Sequence, residues 1–426
     1  MCVLLAAALR LVWIEDMEYK GDEKLLFELS QTVGRTTAWP MTGNLSGVGV
    51  VNPGLSVWNF VILARISRAA NPLELTRAVQ IVNVLSVLAL FGFVLRWLTR
   101  EDREPWLWAA AMVSVNPFSI LFSRKIWEPD LVLPFCLLAI LGFLNRASFL
   151  GAVSYGFFGA LVGQVHMSGF FFSLGLVIWL AVFDRKNVNW LGWFAGSVLG
   201  AIPLLPWVVI VLNQPSGVQG WAWRNVFKFE FYRHWVEDTF GLGLDYSLGP
   251  HFSAFLKFPI IGASPTYGVL LLHVGLWAAM IWFLVRWAWG FWRNKTSAPD
   301  SASTAHLRDG TFWTMGALLT LSGFIIYRHY LNVIRPIEFL WLACVALHYV
   351  PRPRVFLLTV WVLQLLLSIS FLSYIHQNCG ARDGDYGTAY RCQAGSGLSN
   401  LNDRSRTNLG AGTRCGVGSL ACKPAD

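Results

Sequence analysis

Apolar residues in this chain fall in long blocks rather than in narrow amphipathic stripes. The blocks lie near residues 1 to 14, 77 to 99, 105 to 122, 131 to 145, 148 to 163, 168 to 183, 190 to 212, 267 to 289, 311 to 326, 336 to 350 and 355 to 374. A helix crosses the hydrocarbon core of a bilayer in roughly 20 apolar residues, and several of these blocks reach that length. Others are shorter and bounded by Pro or Gly, which a bundle tolerates because neighbouring helices shield the backbone. The pattern predicts an all-α fold, a polytopic transmembrane helix bundle of about eleven spans occupying residues 1–375.

Two stretches interrupt the blocks, at about 15–76 and 213–266. The first opens on the acidic cluster Glu15-Asp16-Met17-Glu18-Tyr19-Lys20-Gly21-Asp22-Glu23 and continues through Glu23-Lys24-Leu25-Leu26-Phe27-Glu28-Leu29, whose apolar spacing suits a helix lying on the membrane surface. Asn52-Pro53-Gly54-Leu55-Ser56-Val57-Trp58 then opens a second short apolar helix, with Pro placed where a helix entry accepts it. The second stretch is dense in aromatic and charged residues, from Trp221 to Trp235, and reads as a rim for a polar head group. Beyond Tyr374 the composition turns to Gly, Ser, Asn and Arg, which predicts a disordered tail over 376–426 on the outer side.

Composition excludes a soluble globular domain: 55% of the residues are hydrophobic and 13% charged, against roughly 25% charged in ordinary soluble domains. Tryptophans at the ends of blocks (Trp58, Trp97, Trp106, Trp127, Trp292) suit the membrane interface. The net charge of +9 therefore speaks of topology and anionic ligands, and no nucleic-acid partner is expected. If the blocks alternate across the membrane, Arg96, Arg100, Arg103, Arg146, Arg185, Lys186, Arg286, Arg293, Lys295, Arg308, Arg352 and Arg354 share one side, which the positive-inside rule makes cytoplasmic. The opposite side holds Lys20, Lys24, Arg35, Arg124, Lys125, Arg224, Lys228, Arg233, Arg328 and Arg335, many of them in long loops that cross regardless of charge. Both long loops then face outward from a multi-pass plasma (inner) membrane protein. Cys136 and Cys344 fall in spans, and Cys379, Cys392, Cys415 and Cys422 on the side where disulfides are permitted. No spacing reads as a zinc site and no Gly-rich phosphate loop is present.

The same alternation brings Asp22 and Glu23, the turn Arg124-Lys125-Ile126-Trp127-Glu128-Pro129-Asp130, the turn Gln164-Val165-His166, and Tyr327-Arg328-His329-Tyr330 with Arg335 to one outer face. Each has a plainer reading. An acid pair is commonly a solvated helix N-terminus, Arg124 and Lys125 are ordinary interface anchors, His166 is a packing residue, and Arg328 and Arg335 are snorkelling side chains at span ends. Only their shared face points to chemistry: a carboxylate can take a proton from a hydroxyl, and Lys and Arg can neutralise a phosphate.

Gly21-Asp22-Glu23 after the first block, Asn52-Pro53-Gly54-Leu55-Ser56-Val57-Trp58, Phe122-Ser123-Arg124-Lys125-Ile126-Trp127, His166, and Arg328-His329-Tyr330-Leu331 entering Arg335-Pro336 together resemble polytopic glycosyltransferases of the GT-C class. The likeness is to the bacterial relatives of protein O-mannosyltransferases and of aminoarabinose transferases of lipid A. It covers about residues 1 to 392 and rests on the order of short, degenerate motifs. The resemblance implies transfer of a sugar from a polyprenyl-phosphate donor to a lipid, glycan or protein acceptor on the extracytoplasmic face, with inversion. It implies Asp22 as general base with Glu23 beside it, and a binding surface of Arg124, Lys125, Glu128, His166, Arg328, His329 and Arg335. Asp16 competes for the base role, and a first block of about 14 residues containing Arg10 reads as a truncated span. A divalent ion bridging Glu23 or Glu128 to the phosphate is compatible with these residues and not demanded by them. A lipid or saccharide transporter (flippase) is the alternative, although neither an internal repeat nor mid-membrane charge supports it.

Overall fold

A computed structural model describes residues 1–213, 221–259, 262, 264–293 and 301–395. Part of the expected outer loop 213–266, Lys295, and the expected tail beyond 395 with Cys415 and Cys422 lie outside the described residues. The chain opens with α1 (Cys2–Leu11), the surface helix α2 (Gly21–Thr32), the hairpin β1 (Thr42–Leu45) and β2 (Val51–Pro53), and α3 (Leu55–Ser67). The bundle continues through α4 (Pro72–Trp97), α5 (Arg100–Val115), α6 (Pro117–Leu121), α7 (Val132–Leu144), α8 (Phe149–Val165), α9 (Ser168–Phe183), α10 (Trp190–Ala201) and α11 (Leu205–Asn213). Short helices α12 (Glu230–Thr239), α13 (Leu244–Leu248) and α14 (Phe252–Leu256) precede the long α15 (Gly268–Trp292). Then come α16 (Ala302–Asp309), a π-helical turn at Gly310–Met315, α17 (Gly316–Leu321), a 3-10 segment Arg328–Ile334, α18 (Ile337–Tyr349) and α19 (Pro353–Asn378). A two-residue ladder, β3 (Gly380–Ala381) with β4 (Gly387–Thr388), and α20 (Tyr390–Gly395) close the described chain.

The apolar blocks are helices, but their lengths are cut by local chemistry. Among the described residues four helical runs are long and apolar enough to cross a membrane, Pro72–Trp97, Trp190–Asn213, Gly268–Gly290 and Pro353–Asn378. Arg328–Ile334 and Ile337–Tyr349 make a fifth if a pair bent by 73° counts as one span. The block expected over 105 to 122 breaks at Asn116-Pro117: Asn116 Oδ1 accepts from the Phe118 and Ser119 amides and starts α6, because the following Pro cannot continue α5. The block expected from 77 starts five residues earlier, where Asn71 caps Glu74 and Pro72 takes the first helical position.

Small residues let the helices approach. A methyl group added at Gly156 would strike the Trp193 carbonyl, and one at Gly196 the Val153 carbonyl, so α8 and α10 touch backbone to backbone. Arg10 is buried and donates to the Val113 and Ser119 carbonyls at 3.0 and 3.1 Å, tying α1 to the α5–α6 break.

The bundle has two chemically distinct ends. At one, Arg354 pairs with Glu104 (2.7 Å), Arg146 with Asp184, and Arg286 donates to the Tyr349 carbonyl (3.1 Å), so the basic loops that were expected to share a side do meet. The other end carries α2, the β1–β2 hairpin, α13 and the turn after α8. Helix α9 links them, starting at Ser168 and ending 16 residues later beside Asp184, a rise of roughly 24 Å.

The composition shift past Tyr374 does not end order. Helix α19 runs on to Asn378, a Cys379–Cys392 disulfide closes the loop behind it, and the loop folds back on the acidic cluster. The Tyr390 amide donates to the Met17 carbonyl at 3.0 Å and Glu18 bridges to Ala389. Polar, Gly-rich sequence is ordered here because a covalent link and the acid cluster hold it.

Candidate functional site

The acidic cluster is divided by its surroundings. Asp16 is buried, with Oδ2 at 2.7 Å from His376 Nδ1 and Oδ1 accepting from Arg391 Nε at 2.5 Å. Glu18 lies between two lysines, 2.6 Å from Lys20 Nζ and 2.8 Å from Lys125 Nζ. The Glu23 side chain accepts from the Lys20 amide at 2.9 Å, which caps α2 and leaves Asp22 in its first turn. Asp22 is exposed, and its carboxylate has no hydrogen bond or ion pair among the described residues.

Three cavities converge above this turn. The first, 290 Å³, is lined by the apolar Val48, Val50, Met167, Phe171, Leu319 and Ile326 and by the polar Asp22, Asn52, Glu128, His166, Ser168 and His329. The second, 270 Å³, is polar, with Glu18, Lys20, Asp22, Glu23, Lys125 and Arg328. Asp22, Trp127, Tyr246 and His329 line both, so they form the partition. The third, 480 Å³, extends beside them toward α15 and includes Lys228, Arg233, His234, Asp245, His273 and Trp277.

Seven of the residues singled out in the sequence therefore line the first two cavities: Asp22, Glu23, Lys125, Glu128, His166, Arg328 and His329. Two do not. Arg124 is buried with its guanidinium on the carbonyls of Leu9, Arg10, Val12 and Trp13, where it terminates α1. Arg335 is buried against the Phe118 carbonyl (3.0 Å) and Glu338 (3.5 Å). Arg328 reaches the cavities but arrives paired, to Asp238 and, at 2.7 Å, to Glu237. A buried Arg between carboxylates is common structural pairing, and the sequence has no local signal for it because Glu237 and Asp238 lie some ninety residues away.

The electrostatics differ on the two sides of the partition. Burial works against the Lys125 charge, yet Glu18, Glu23 and Asp130 outweigh it and hold the ammonium above the ordinary lysine range. Burial also pushes the Glu23 carboxyl up from its ordinary value, against the pull of Lys125. Glu18 bridges Lys20 and Lys125, and Asp385 lies 3.8 Å from Lys20, so both lysines of this cavity stand among carboxylates. In the first cavity burial, reinforced by the Asp22 and Glu23 carboxylates, pushes Glu128 up to about 7. Burial lowers His166 to about 4, which keeps it neutral, with Nδ1 2.7 Å from Ser168 Oγ.

Most aromatic rings at the partition are spent on one another. Trp127 lies edge-on to His329 at 4.7 Å with Lys125 Nζ 4.0 Å from its centroid, Tyr327 stacks on His329 at 5.7 Å, and Tyr330 meets His166 at 5.5 Å. Among the described residues no three His, Cys, Asp or Glu side chains group so as to hold a metal ion. The sequence reading passed over Glu18 and Tyr246. Glu18 stood in the acid cluster two residues before Lys20; Tyr246 had no signal beyond its place in an aromatic-rich loop.

No family model matches the chain, and no curated protein matches it. Among solved structures it is similar to the Archaeoglobus fulgidus oligosaccharyltransferase in the apo form, with 15% identity and a TM-score of 0.44 over 86% of this chain and 55% of that one. It is also similar to the same protein tethered through a disulfide to an acceptor peptide containing the NVT sequon, with 14% identity and a TM-score of 0.45 over 91% and 55%. The chain spans about half the length of these structures. At such identities and TM-scores the likeness assigns neither chemistry nor residue roles.

Proposed function

We propose that this chain is a membrane glycosyltransferase that moves a sugar from a polyprenyl-phosphate donor to an acceptor hydroxyl on the extracytoplasmic face, with inversion. One observation carries the reading: Asp22, a carboxylate without a partner among the described residues, stands in the wall between a cavity with lysines and a cavity with many apolar lining residues, at the end of the bundle away from the basic loops. The donor phosphate lies in the polar cavity against Lys20 and Lys125, and the acceptor enters the other. Attack of the acceptor oxygen on the anomeric carbon breaks the bond from that carbon to the phosphate oxygen. The phosphate leaves with the bonding pair, and the acceptor proton passes to Asp22. A phosphate ester needs charge stabilisation rather than an acid to leave, which the two lysines supply in a site of reduced dielectric. Inversion needs the acceptor oxygen and the leaving phosphate on opposite faces of the anomeric carbon, which entry through two separate cavities allows, with Asp22 on the acceptor's side.

The test is transfer itself. The purified chain in nanodiscs is given polyprenyl-phosphate sugars with membrane extract as acceptor, and the glycosylated product is captured. Movement of the donor between leaflets with no new glycosidic bond would make the chain a transporter. The face is tested separately: a cysteine at Thr36 should react with an impermeant thiol reagent on intact cells and one at Asn187 should not, both positions being exposed. The reverse labelling inverts the orientation.

A further inference from the structure

Tyr246 is the only one of the described residues that lines all three cavities. Its side chain is 53% exposed although it sits at their junction. Neither ring stacking nor a side-chain hydrogen bond engages it among the described residues, whereas Trp127, Tyr327 and Tyr330 are all packed against histidines. An aromatic ring this large is normally buried or paired, because it gains most from contact.

The turn beneath the ring is firmly held. In α13, Leu244, Ser247 and Leu248 are buried while Asp245 and Tyr246 project outward. The Ser247 carbonyl accepts from the Tyr386 amide at 2.9 Å, so the disulfide-closed loop grips the turn from behind. Gly243 enters the turn at φ +97°, a left-handed conformation that glycine adopts without strain. A fixed turn displaying an unpartnered ring is preorganised for a ligand.

We propose that Tyr246 is the platform on which the transferred sugar lies, its ring face against the C–H face of the sugar, between the phosphate in the lysine cavity and the acceptor beyond Asp22. This rests on the glycosyltransferase reading and adds to it the residue that selects the sugar. The faces of an aromatic ring are electron-rich and attract the weakly positive C–H groups of a sugar. Asp22 and Tyr246 share two cavities, which puts base and platform at the same bond. The hydroxyl is not required, so phenylalanine should serve.

The experiment is saturation-transfer NMR on the purified full chain in detergent, with farnesyl phosphate esters of glucose, mannose and arabinose as probes and farnesyl phosphate alone as control. Saturation of aromatic protons should appear on the C–H groups of one sugar in the wild type and in Tyr246→Phe and Tyr246→Trp. Tyr246→Ala should lose it and bind that ester about tenfold more weakly, while binding farnesyl phosphate as the wild type does, which shows that it is folded. Equal sugar signals and affinity in Tyr246→Ala overturn the platform but leave the transferase reading standing. Failure of Tyr246→Phe alongside Tyr246→Ala overturns the ring-face contact in the same way. A wild type that binds none of the esters removes the polyprenyl donor and the platform together.

Discussion

Asp16 and Asp22 belong to one acidic cluster and have opposite fates. Asp16 is buried under the C-terminal loop, its two oxygens taken by His376 and Arg391, and its carbonyl accepts from the Tyr386 hydroxyl at 2.5 Å. Asp22 stands where two cavities meet, its carboxylate without a hydrogen bond or ion pair among the described residues. A carboxylate whose oxygens already accept hydrogen bonds serves as a structural tie; one whose oxygens are not engaged can take a new hydrogen bond from a ligand. The pair shows how residues of one type, close in sequence, are divided into fastening and chemistry by what folds over them.

The sharpest way to break this comparison is to neutralise each acid in turn. Asp22→Asn keeps size but cannot take the proton, so turnover should fall on the order of 10² to 10⁴ with an unchanged melting temperature; single-turnover transfer from a polyprenyl-phosphate sugar measures it. Transfer at the wild-type rate would strip Asp22 of the base role. Replacing both Cys379 and Cys392 by Ser should cost about 3 kcal/mol, the scale for closing a loop of this size. The loss should show as faster proteolysis after residue 378 and a smaller fall in transfer, because the loop supports residues 16 to 20 rather than the reacting atoms. Asp16→Ala should loosen the same loop by about 2 kcal/mol, below the full cost of opening a buried pair because His376 and Arg391 are about a third exposed. Hydrogen exchange at residues 379–395 reads this directly, and unchanged protection there would show that Asp16 fastens nothing.

A pH-dependent effect concerns Glu128. Its carboxyl is pushed up to about 7 from an ordinary 4.5, so between those values the folded protein holds a proton that the unfolded chain has released. Stability should therefore fall as pH rises from 4.5 to about 7 and level off above. In Glu128→Gln that slope should become shallower in the melting temperature measured across this range, the remainder belonging to carboxyls such as Glu23 that burial also pushes up. A slope as steep as in the wild type would place the titration on another group.

Some of this was legible in the residues. Blocks of apolar sequence located the helices because a membrane helix must be apolar along its whole length, and α7, α8, α9 and α18 lie within a few residues of where the blocks predict them. Alternation of the blocks brought Asp22, Lys125, Glu128, His166 and His329 to one end of the bundle, since each lies at the edge of a block. The eleven-span count was less secure. An Asn-Pro cap or a π-helical turn shortens a helix without changing its hydropathy, and four runs, or five with the bent pair, meet the spanning length among the described residues.

What the sequence by itself determined is composition, helix positions and the sorting of basic loops and acidic chemistry to opposite ends, because hydropathy and chain alternation act through neighbours along the chain. What only the tertiary structure decided is which charges are already paired. Arg328 meets Glu237 and Asp238, Arg124 meets the carbonyls that end α1, and Asp16 meets Arg391 across 375 positions of sequence. Pairing energy depends on distance in space, falling off over a few ångströms, and no pattern in the order of residues carries that distance.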